Sequence, residues 1–304
     1  MPADRNCPEQ TRLLGRVVAS CPGGLCVNAP AKINLNLLVW PLRSDGYHPL
    51  DSYVSKITLY DRLELRLRDG EEIRLICEGQ DCGPDDDNLA VRAARLMQAS
   101  ATKRFGLDIR LTKRIPPGKG LGGGSSDAAA VMVGVRQLLQ MEVSDAELFE
   151  AAASLGSDVP LFLAEGAVRM TGRGEILEPV QVHAFFALLY LPDLFCGTGD
   201  VYRAFDAAPP QPERQLPADL LGISPPSTWR HRLVNHLESA ARSVNPELGR
   251  RFDDLQRVLP DLRMTGSGSA LFSLHDSIES ARAALNRVPG DLRDGFLLVR
   301  SAEQ

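Results

Sequence analysis

A glycine-rich loop that runs straight into an alanine-rich helix constrains this chain more than any other segment. The loop reads Pro116-Pro117-Gly118-Lys119-Gly120-Leu121-Gly122-Gly123-Gly124-Ser125-Ser126. Glycines let backbone N–H groups approach a ligand closely, and the first N–H groups of a helix have no partners within it. Together with the helix dipole, these groups predict an anion site, most simply for phosphate, where the serine hydroxyls reach phosphate oxygens or Mg²⁺.

Two common phosphate-binding patterns do not account for this loop. A Walker A loop needs Ser or Thr directly after Gly-Lys, whereas Lys119 is followed by Gly120. A Rossmann pattern can be traced through Gly118, Gly120 and Gly123, but it should follow a buried parallel strand. Residues 107–112 instead alternate apolar and polar side chains, which predicts a half-exposed antiparallel strand. A flexible linker would not continue into a helical apolar pattern.

Composition limits the classes of protein that can carry such a loop. The chain has 304 residues, of which 44% are hydrophobic and 24% charged, as in soluble proteins of one large or two ordinary domains. No apolar run is long enough to cross a membrane, and the polar N-terminus shows no secretory signal. A net charge of −5 argues against nucleic-acid or membrane-surface binding. We therefore expect a cytoplasmic protein, with no nucleic-acid partner.

The six cysteines do not predict a metal site. None of the pairs has the C-x-x-C spacing, and no histidines cluster with them. The expectation for a cytoplasmic protein is that all of the thiols stay reduced.

Hydrophobic periodicity predicts strands and helices, with helices and antiparallel strands mixed in the second half of the chain. Residues 1–26 are expected to form an irregular extension, and the proline-rich residues 207–226 a surface loop. Alternating or continuous apolar runs predict strands at residues 31–37, 53–57, 63–67, 107–112, 167–170, 175–180, 183–191 and 296–300, with two more around the turn at 266–268. Apolar spacing and capping residues predict helices starting at Asn88, in the glycine loop and at Ser144, and over residues 229–244, 246–259 and 278–288.

Polar residues on the first strand are candidates for a site. Lys32 and Asn34 lie two residues apart, so they share one face of a strand. Lys32 could stabilise phosphate charge or lower the pKa of a neighbouring base. An ordinary solvent-facing strand accounts for the same spacing, and the spacing alone favours that alternative.

Three turns carry further candidates. Tyr47 and His48 follow the Asp45-Gly46 turn and could stack on and bond a planar ligand, although the turn alone favours a simple surface turn. Asp158, placed before Pro160, is either a general base for a substrate hydroxyl or a helix N-cap. A second glycine loop at residues 264–272 either approaches the first loop or forms a tight turn.

Taken in order, these segments resemble the three motifs of the GHMP kinases, the superfamily of galactokinase, homoserine kinase, mevalonate kinase and phosphomevalonate kinase. The resemblance covers about residues 29–299. Its most specific markers are Pro30-Ala31-Lys32-Ile33-Asn34-Leu35, Asp45-Gly46-Tyr47-His48, the long glycine loop and Gly156-Ser157-Asp158-Val159-Pro160. The Asp45-Gly46-Tyr47-His48 segment separates the member that the chain most resembles from homoserine and mevalonate kinases.

The resemblance implies a fold and a domain division. The expected architecture is α+β, a two-domain GHMP kinase fold, with an N-terminal domain like ribosomal protein S5 domain 2 and a ferredoxin-like C-terminal domain. The implied bounds are an N-terminal extension at 1–26, the ATP-binding domain at 27–170 and the C-terminal domain at 171–304.

The resemblance also implies an activity, transfer of the ATP γ-phosphoryl group to a hydroxyl of a small molecule that carries cytosine. Asp158 matches the catalytic base and Lys32 the lysine beside it. Mg²⁺ is the implied metal, bound through the ATP phosphates and the hydroxyl of Ser126. ATP contacts are implied for Pro117, Gly118, Lys119, Gly120, Leu121, Gly122, Gly123, Gly124, Ser125, Ser126, Asn88, Leu89 and Lys113, and substrate contacts for Asn34, Tyr47, His48 and Thr198.

One loop residue departs from the family pattern. Lys119 stands where a small residue is usual, and it either adds a phosphate contact or points to solvent. Two competing hypotheses for the chain are a homoserine or sugar kinase, and a nucleotide-binding regulator without catalysis. The retained base, lysine and loop argue against the regulator. Either a monomer or a homodimer is compatible with the sequence.

Overall fold

The computed structural model describes residues 11–13, 16–21, 23–84, 87–210 and 215–302. The strands are β1 Thr11–Leu13, β2 Arg16–Cys21, β3 Gly24–Val39, β4 Leu50–Arg68, β5 Ile73–Gly79, β6 Gly106–Lys113, β7 Ala167–Gly172, β8 Ile176–Val180, β9 Phe186–Tyr190, β10 Arg263–Met264, β11 Leu271–His275 and β12 Phe296–Arg300. The helices are α1 Leu89–Ser100, α2 Gly123–Leu138, α3 Asp145–Leu155, α4 Thr198–Ala207, α5 Ala218–Ile223, α6 Glu238–Val244, α7 Pro246–Gln256, α8 Ile278–Leu285 and α9 Gly290–Arg293. Short 3-10 turns lie at Pro160–Phe162, Pro226–Thr228 and Arg230–Arg232.

The chain divides into two compact units, and β3 and β4 each run through both. Unit 1 comprises the described residues up to Ala31, with Leu59–Pro117 and Gly122–Glu165. Unit 2 comprises Lys32–Thr58, Gly118–Leu121 and the described residues from Gly166 onward. The glycine loop therefore contributes residues to both units, and the domain bounds implied by the resemblance stay a prediction.

Unit 1 is built on strands in the order β1-β2-β3-β4-β6-β5. The alternation seen in residues 107–112 is confirmed, because the apolar side chains of β6 are buried while Arg110 is exposed. β6 runs antiparallel to β4, as expected, but parallel to β5, a strand that sequence reasoning did not identify.

Helix α2 is the most buried helix of unit 1. Every residue from Ser126 to Val135 is buried, which fits a helix that is apolar on all sides. Small residues permit this burial, since a Cβ on Gly134 would lie 2.3 Å from Cδ1 of Leu65 on β4. The helix that carries the glycine loop is thus packed firmly into the unit.

Unit 2 contains a four-stranded antiparallel sheet in the order β10-β11-β9-β12, together with the β7–β8 hairpin, which pairs with the start of β4. The predicted hairpin, the buried strand β9 and the final strand β12 are confirmed. The core of this unit is formed by side chains of the sheet and of α4, α6 and α7, among them Leu188, Tyr190, Val201, Phe205, Leu248, Phe252 and Leu271.

Two predictions of irregular structure were wrong. From residue 11 onward, the predicted irregular extension contains β1 and β2, because β2 pairs with the start of β3 and satisfies its backbone groups; residues 1–10 lie outside the described part. The predicted loop at 207–226 contains α5, which buries Leu221 completely.

The predicted single helix at 229–244 was also wrong. The segment between the 3-10 turn and α6 runs beside β3, where Leu37 donates its N–H to Val234 and accepts one from His236, at 2.8 and 2.9 Å. Hydrogen bonding to a distant strand therefore overrides the local helical pattern. Helix α4 was not predicted at all.

The expectation of reduced thiols was wrong for one pair, because Cys77 and Cys82 form a disulfide. Their Cα atoms lie 6.6 Å apart across the turn that follows β5, within the range that a disulfide spans. Cys21, Cys26 and Cys196 are free thiols, and Cys7 lies outside the described residues.

Candidate active site

The glycine loop has the backbone geometry of an anion site. Gly122 is the N-cap of α2 in the left-handed conformation, with φ +70°, and no side chain caps the helix. The N–H groups of the first turn of α2 therefore point out of the helix without a side-chain acceptor, where the helix dipole favours an anion. This arrangement fits a phosphate group.

Close backbone packing holds the middle of the loop. Gly120 has φ +73°, and a Cβ there would lie 2.3 Å from the carbonyl oxygen of Thr265. Leu121 accepts a hydrogen bond from the N–H of Lys32 at 3.0 Å, and Ala270 donates to Lys119 at 3.3 Å. Within unit 2, the second glycine loop thus approaches the first, which confirms one of its two predicted alternatives.

Lys119 is anchored to the protein backbone. Its ammonium donates to the carbonyl oxygens of Pro192 and Leu194, at 2.8 and 2.5 Å, and burial lowers the pKa of Lys119. Ser269 Oγ donates to the same carbonyl of Leu194 at 2.5 Å. The side chain therefore ties the glycine loop to the segment before α4.

Lys32 and Asn34 are buried side by side on β3. Lys32 Nζ donates to Asn34 Oδ1 at 2.5 Å, and Asn34 Nδ2 donates to Ser52 Oγ at 2.8 Å. The N–H of Asn34 also donates to Thr265 Oγ1 at 2.9 Å. Exposed fractions of 4% for Lys32 and 3% for Asn34 exclude the solvent-facing alternative. β3 therefore presents an ammonium and an amide that are already oriented.

Asp158 lies in the turn between α3 and the following 3-10 turn, and its side chain is half-buried. The N-cap position of the 3-10 turn is taken by Val159, with no side-chain cap. The N-cap interpretation of Asp158 was therefore wrong, and its role as a base stays a prediction.

His48 is held in an aromatic group with α4. Its ring centroid lies 5.0 Å from that of Tyr202 and 5.7 Å from that of Phe205. Nδ1–H donates to the carbonyl oxygen of Trp40 at 2.9 Å, and Nε2 lies 3.5 Å from Asp206 Oδ1. The ring is therefore fixed in orientation, and the interpretation as a simple surface turn does not describe His48.

Tyr47, by contrast, is 53% exposed, and the guanidinium of Arg173 lies 4.8 Å from its ring centroid. Thr198, at the start of α4, shares a hydrogen bond of 3.0 Å with Ser267 Oγ in the second glycine loop. Sequence reasoning missed Phe205, whose helix showed no clear signal.

Asn88 and Leu89 lie at the start of α1. Asn88 Oδ1 caps the helix by accepting from the N–H of Ala90 at 2.9 Å, and Nδ2 donates to the carbonyl of Cys82 at 3.2 Å. Leu89 contacts the glycine loop, since a Cβ on Gly124 would lie 3.7 Å from its Cδ1. Unit 1 thus brings the start of α1 to the start of α2.

Lys113 is buried between two carboxylates. Its Nζ lies 2.5 Å from Asp61 Oδ2 and 2.6 Å from Asp127 Oδ2. Burial would lower the pKa of Lys113, but Asp127 and Asp61 outweigh it and raise that pKa. Burial also raises the pKa of Asp127 to about 8, against the opposing effect of Lys113. Sequence reasoning gave neither carboxylate a role: Asp127 is simply the residue that follows Ser126 in the glycine-loop motif, and a single Asp within a strand, such as Asp61, carries no pattern.

The predicted site residues thus fall into two groups. Lys32, Asn34, Tyr47, His48, Thr198 and loop residues Gly118–Leu121 belong to unit 2. Asn88, Leu89, Lys113, Pro117, loop residues 122–126 and Asp158 belong to unit 1.

The chain is similar in sequence to known kinases. The family described as GHMP kinases N terminal domain matches residues 88–166. A 4-diphosphocytidyl-2-C-methyl-D-erythritol kinase from Desulfotalea psychrophila is 38% identical over 82% of this chain and 85% of its own. One from Thiobacillus denitrificans is 37% identical, over 88% and 92%.

The chain belongs to the 4-diphosphocytidyl-2-C-methyl-D-erythritol kinases. A solved structure of such a kinase is 35% identical and covers 92% of this chain and all of its own, with a TM-score of 0.75. Homoserine kinase from Cytophaga hutchinsonii, with a TM-score of 0.69 and 20% identity over 93% and 95% of the two chains, shows the shared fold alone.

Membership of these kinases confirms the fold and the enzyme class. The mixture of two sheets with helices is the GHMP kinase fold, and the chain is an ATP-dependent small-molecule kinase of isoprenoid biosynthesis. Among the described residues, no helix is long and apolar enough to cross a membrane.

Proposed function

We propose that the chain transfers the γ-phosphoryl group of ATP to the 2-hydroxyl of 4-diphosphocytidyl-2-C-methyl-D-erythritol, in the non-mevalonate route to isoprenoid precursors. The observation that carries the proposal is the fixed His48 ring beside Tyr202 and Phe205, next to the exposed ring of Tyr47. Aromatic faces and an oriented imidazole suit a planar base such as cytosine. Identity to kinases named for this substrate supports it.

Phosphoryl transfer needs positioning and charge neutralisation more than covalent chemistry. Asp158, whose half-buried side chain caps no helix, is the group that accepts the proton of the acceptor hydroxyl. Lys32 supplies positive charge, and Asn34, Tyr47, His48 and Thr198 hold the acceptor.

The glycine loop holds the ATP phosphates. The uncapped start of α2 supplies backbone donors, Ser125 adds a hydroxyl, and Asn88 and Leu89 border the nucleoside. Ser126, in the first turn of α2, offers the hard oxygen that Mg²⁺ prefers. When bound, Mg²⁺ neutralises charge on the phosphate oxygens.

The cellular location, the oligomeric state and the partners of the enzyme are also proposals. The enzyme works in the cytoplasm as a monomer or homodimer and binds no nucleic acid, which accords with the net charge of −5.

An assay that couples ADP release to a readout tests the proposal, with ATP and a panel of acceptors. We expect turnover of 4-diphosphocytidyl-2-C-methyl-D-erythritol and none of homoserine, mevalonate or galactose, with phosphorus NMR placing the new phosphate on the 2-hydroxyl. Asp158→Ala should lower kcat by roughly 10² to 10⁴. Asp69→Asn, in an exposed bend, is the matched control. Turnover of another acceptor alone would refute the substrate, and near-normal kcat in Asp158→Ala would refute the base.

A further inference from the structure

We propose that Lys113 acts on ATP through the glycine loop, by neutralising the carboxylates of Asp61 and Asp127 that are buried beneath the start of α2. The proposal deepens the proposed function and rests on the loop being the phosphate site. The resemblance implied a direct nucleoside contact for Lys113, whereas its side chain is only 5% exposed and its ammonium faces two carboxylates.

The ammonium of Lys113 lies at the start of α2. A Cβ on Gly123, the first residue of α2, would lie 3.0 Å from Lys113 Nζ. The ammonium therefore lies beside the first residue of α2, at the helix end that is to receive phosphate. Lys113 is the last residue of β6, so this strand places the ammonium at the start of α2.

The carboxylates of Asp61 and Asp127 are buried beside this ammonium. Asp127 directly follows the two serines at the start of α2. Asp61 Oδ1 accepts hydrogen bonds from the N–H groups of Arg114 and Ile115, at 2.5 and 2.8 Å. Both are nearly or fully buried, with exposed fractions of 2% for Asp127 and 0% for Asp61. Water therefore screens their charge poorly from an anion on the loop.

Lys113 limits the negative charge of this buried cluster. One ammonium faces two carboxyl groups, and Asp127 Oδ1 is buried without a hydrogen-bond partner among the described residues. Both carboxylates form ion pairs with the single ammonium of Lys113. Removing the ammonium alone therefore leaves excess negative charge near the phosphates, whether or not Asp127 is protonated.

The test measures ADP and ATP affinity by calorimetry, with KM values for both substrates. Lys113→Met should weaken ATP binding by about 10- to 100-fold, as loss of a strong electrostatic contact does, and change the KM of the acceptor by less than about twofold. The double variant Lys113→Met/Asp61→Asn restores the original net charge, and it should recover at least about tenfold of the affinity. Lys103→Met, at an exposed lysine, is the control.

Two results would overturn the proposal. If the double variant binds ATP as weakly as Lys113→Met, the lysine either contacts ATP directly or has only a structural role. If Lys113→Met leaves ATP affinity unchanged, it has no role towards the nucleotide. Thermal unfolding of each variant separates loss of affinity from loss of fold.

The single variant Asp61→Asn decides the question if Lys113→Met does not fold. Asn keeps the oxygen that accepts from Arg114 and Ile115, and one buried negative charge is removed. ATP affinity should then be unchanged or higher, and a tenfold loss would contradict the proposal. Because affinity is measured without acceptor, failure of the proposed substrate would show separately, as nucleotide binding without turnover.

Discussion

At the scale of single residues, the site is governed by backbone geometry as much as by side-chain chemistry. Gly120 must adopt a left-handed backbone, and it must also leave room for the carbonyl oxygen of Thr265. Either demand favours glycine, and only the first could be suspected from sequence. The position of the Lys119 ammonium likewise depends on carbonyl oxygens far along the chain. The sequence alone therefore did not determine where this side chain points.

Gly120→Ala tests whether both the backbone conformation and the limited space at this position require glycine, and Gly70→Ala is the matched control. Gly70→Ala has the same left-handed backbone, with φ +85°, but open space around its Cβ. The control should cost about 1–2 kcal/mol of unfolding free energy, from the backbone alone. Gly120→Ala should cost more and raise the KM for ATP, because the Cβ clashes with a fixed carbonyl. Urea denaturation and ATP titration measure both, and equal losses in the two variants would contradict the clash.

At the scale of elements, local signals succeeded where a helix or strand carries its own start and end. Ser144 caps α3 as its sequence indicated, with Ser144 Oγ accepting from the N–H of Glu147 and Glu147 Oε2 accepting from the N–H of Ser144. The helix predicted at residues 229–244 failed because a strand partner, absent from any local window, takes their backbone hydrogen bonds.

The capping box yields a prediction about α3, the helix that leads to Asp158. Ser144→Ala should lower the unfolding free energy by about 1 kcal/mol. The N–H of Glu147 loses its acceptor, and the Glu147 carboxylate that accepts from the N–H of residue 144 is less well held. Ser154→Ala, at an exposed serine in the last turn of the same helix, should cost less. Chemical denaturation compares the two, and an equal or larger loss in Ser154→Ala would contradict the role of the box.

At the scale of the whole molecule, one buried histidine couples stability to pH. Burial, with Arg230 and Arg287 nearby, lowers the pKa of His275 to about 4 from its ordinary 6.5. The unfolded chain therefore binds a proton between pH 6.5 and 4 that the folded chain does not. Stability must fall as pH falls through this window.

His275→Gln should flatten this dependence. We expect the unaltered chain to lose roughly 2 kcal/mol of unfolding free energy between pH 7 and 4.5 through this residue, and the variant to lose correspondingly less. Urea denaturation at several pH values gives the slope, which is independent of any constant packing cost. His183→Gln, at an exposed histidine, is the control, and a slope unchanged in His275→Gln would exclude the mechanism.

The sequence by itself determined the glycine loop, the helix behind it and the family, because these depend on local backbone demands and on residue order. Tertiary structure alone decided the burial of Lys32 and Asn34, the anchoring of Lys119 and the pairing of Lys113 with Asp61 and Asp127. The anchoring of Lys119 and the pairing of Lys113 join residues between 14 and 75 positions apart. Their energies come from desolvation and from partners that no local pattern specifies.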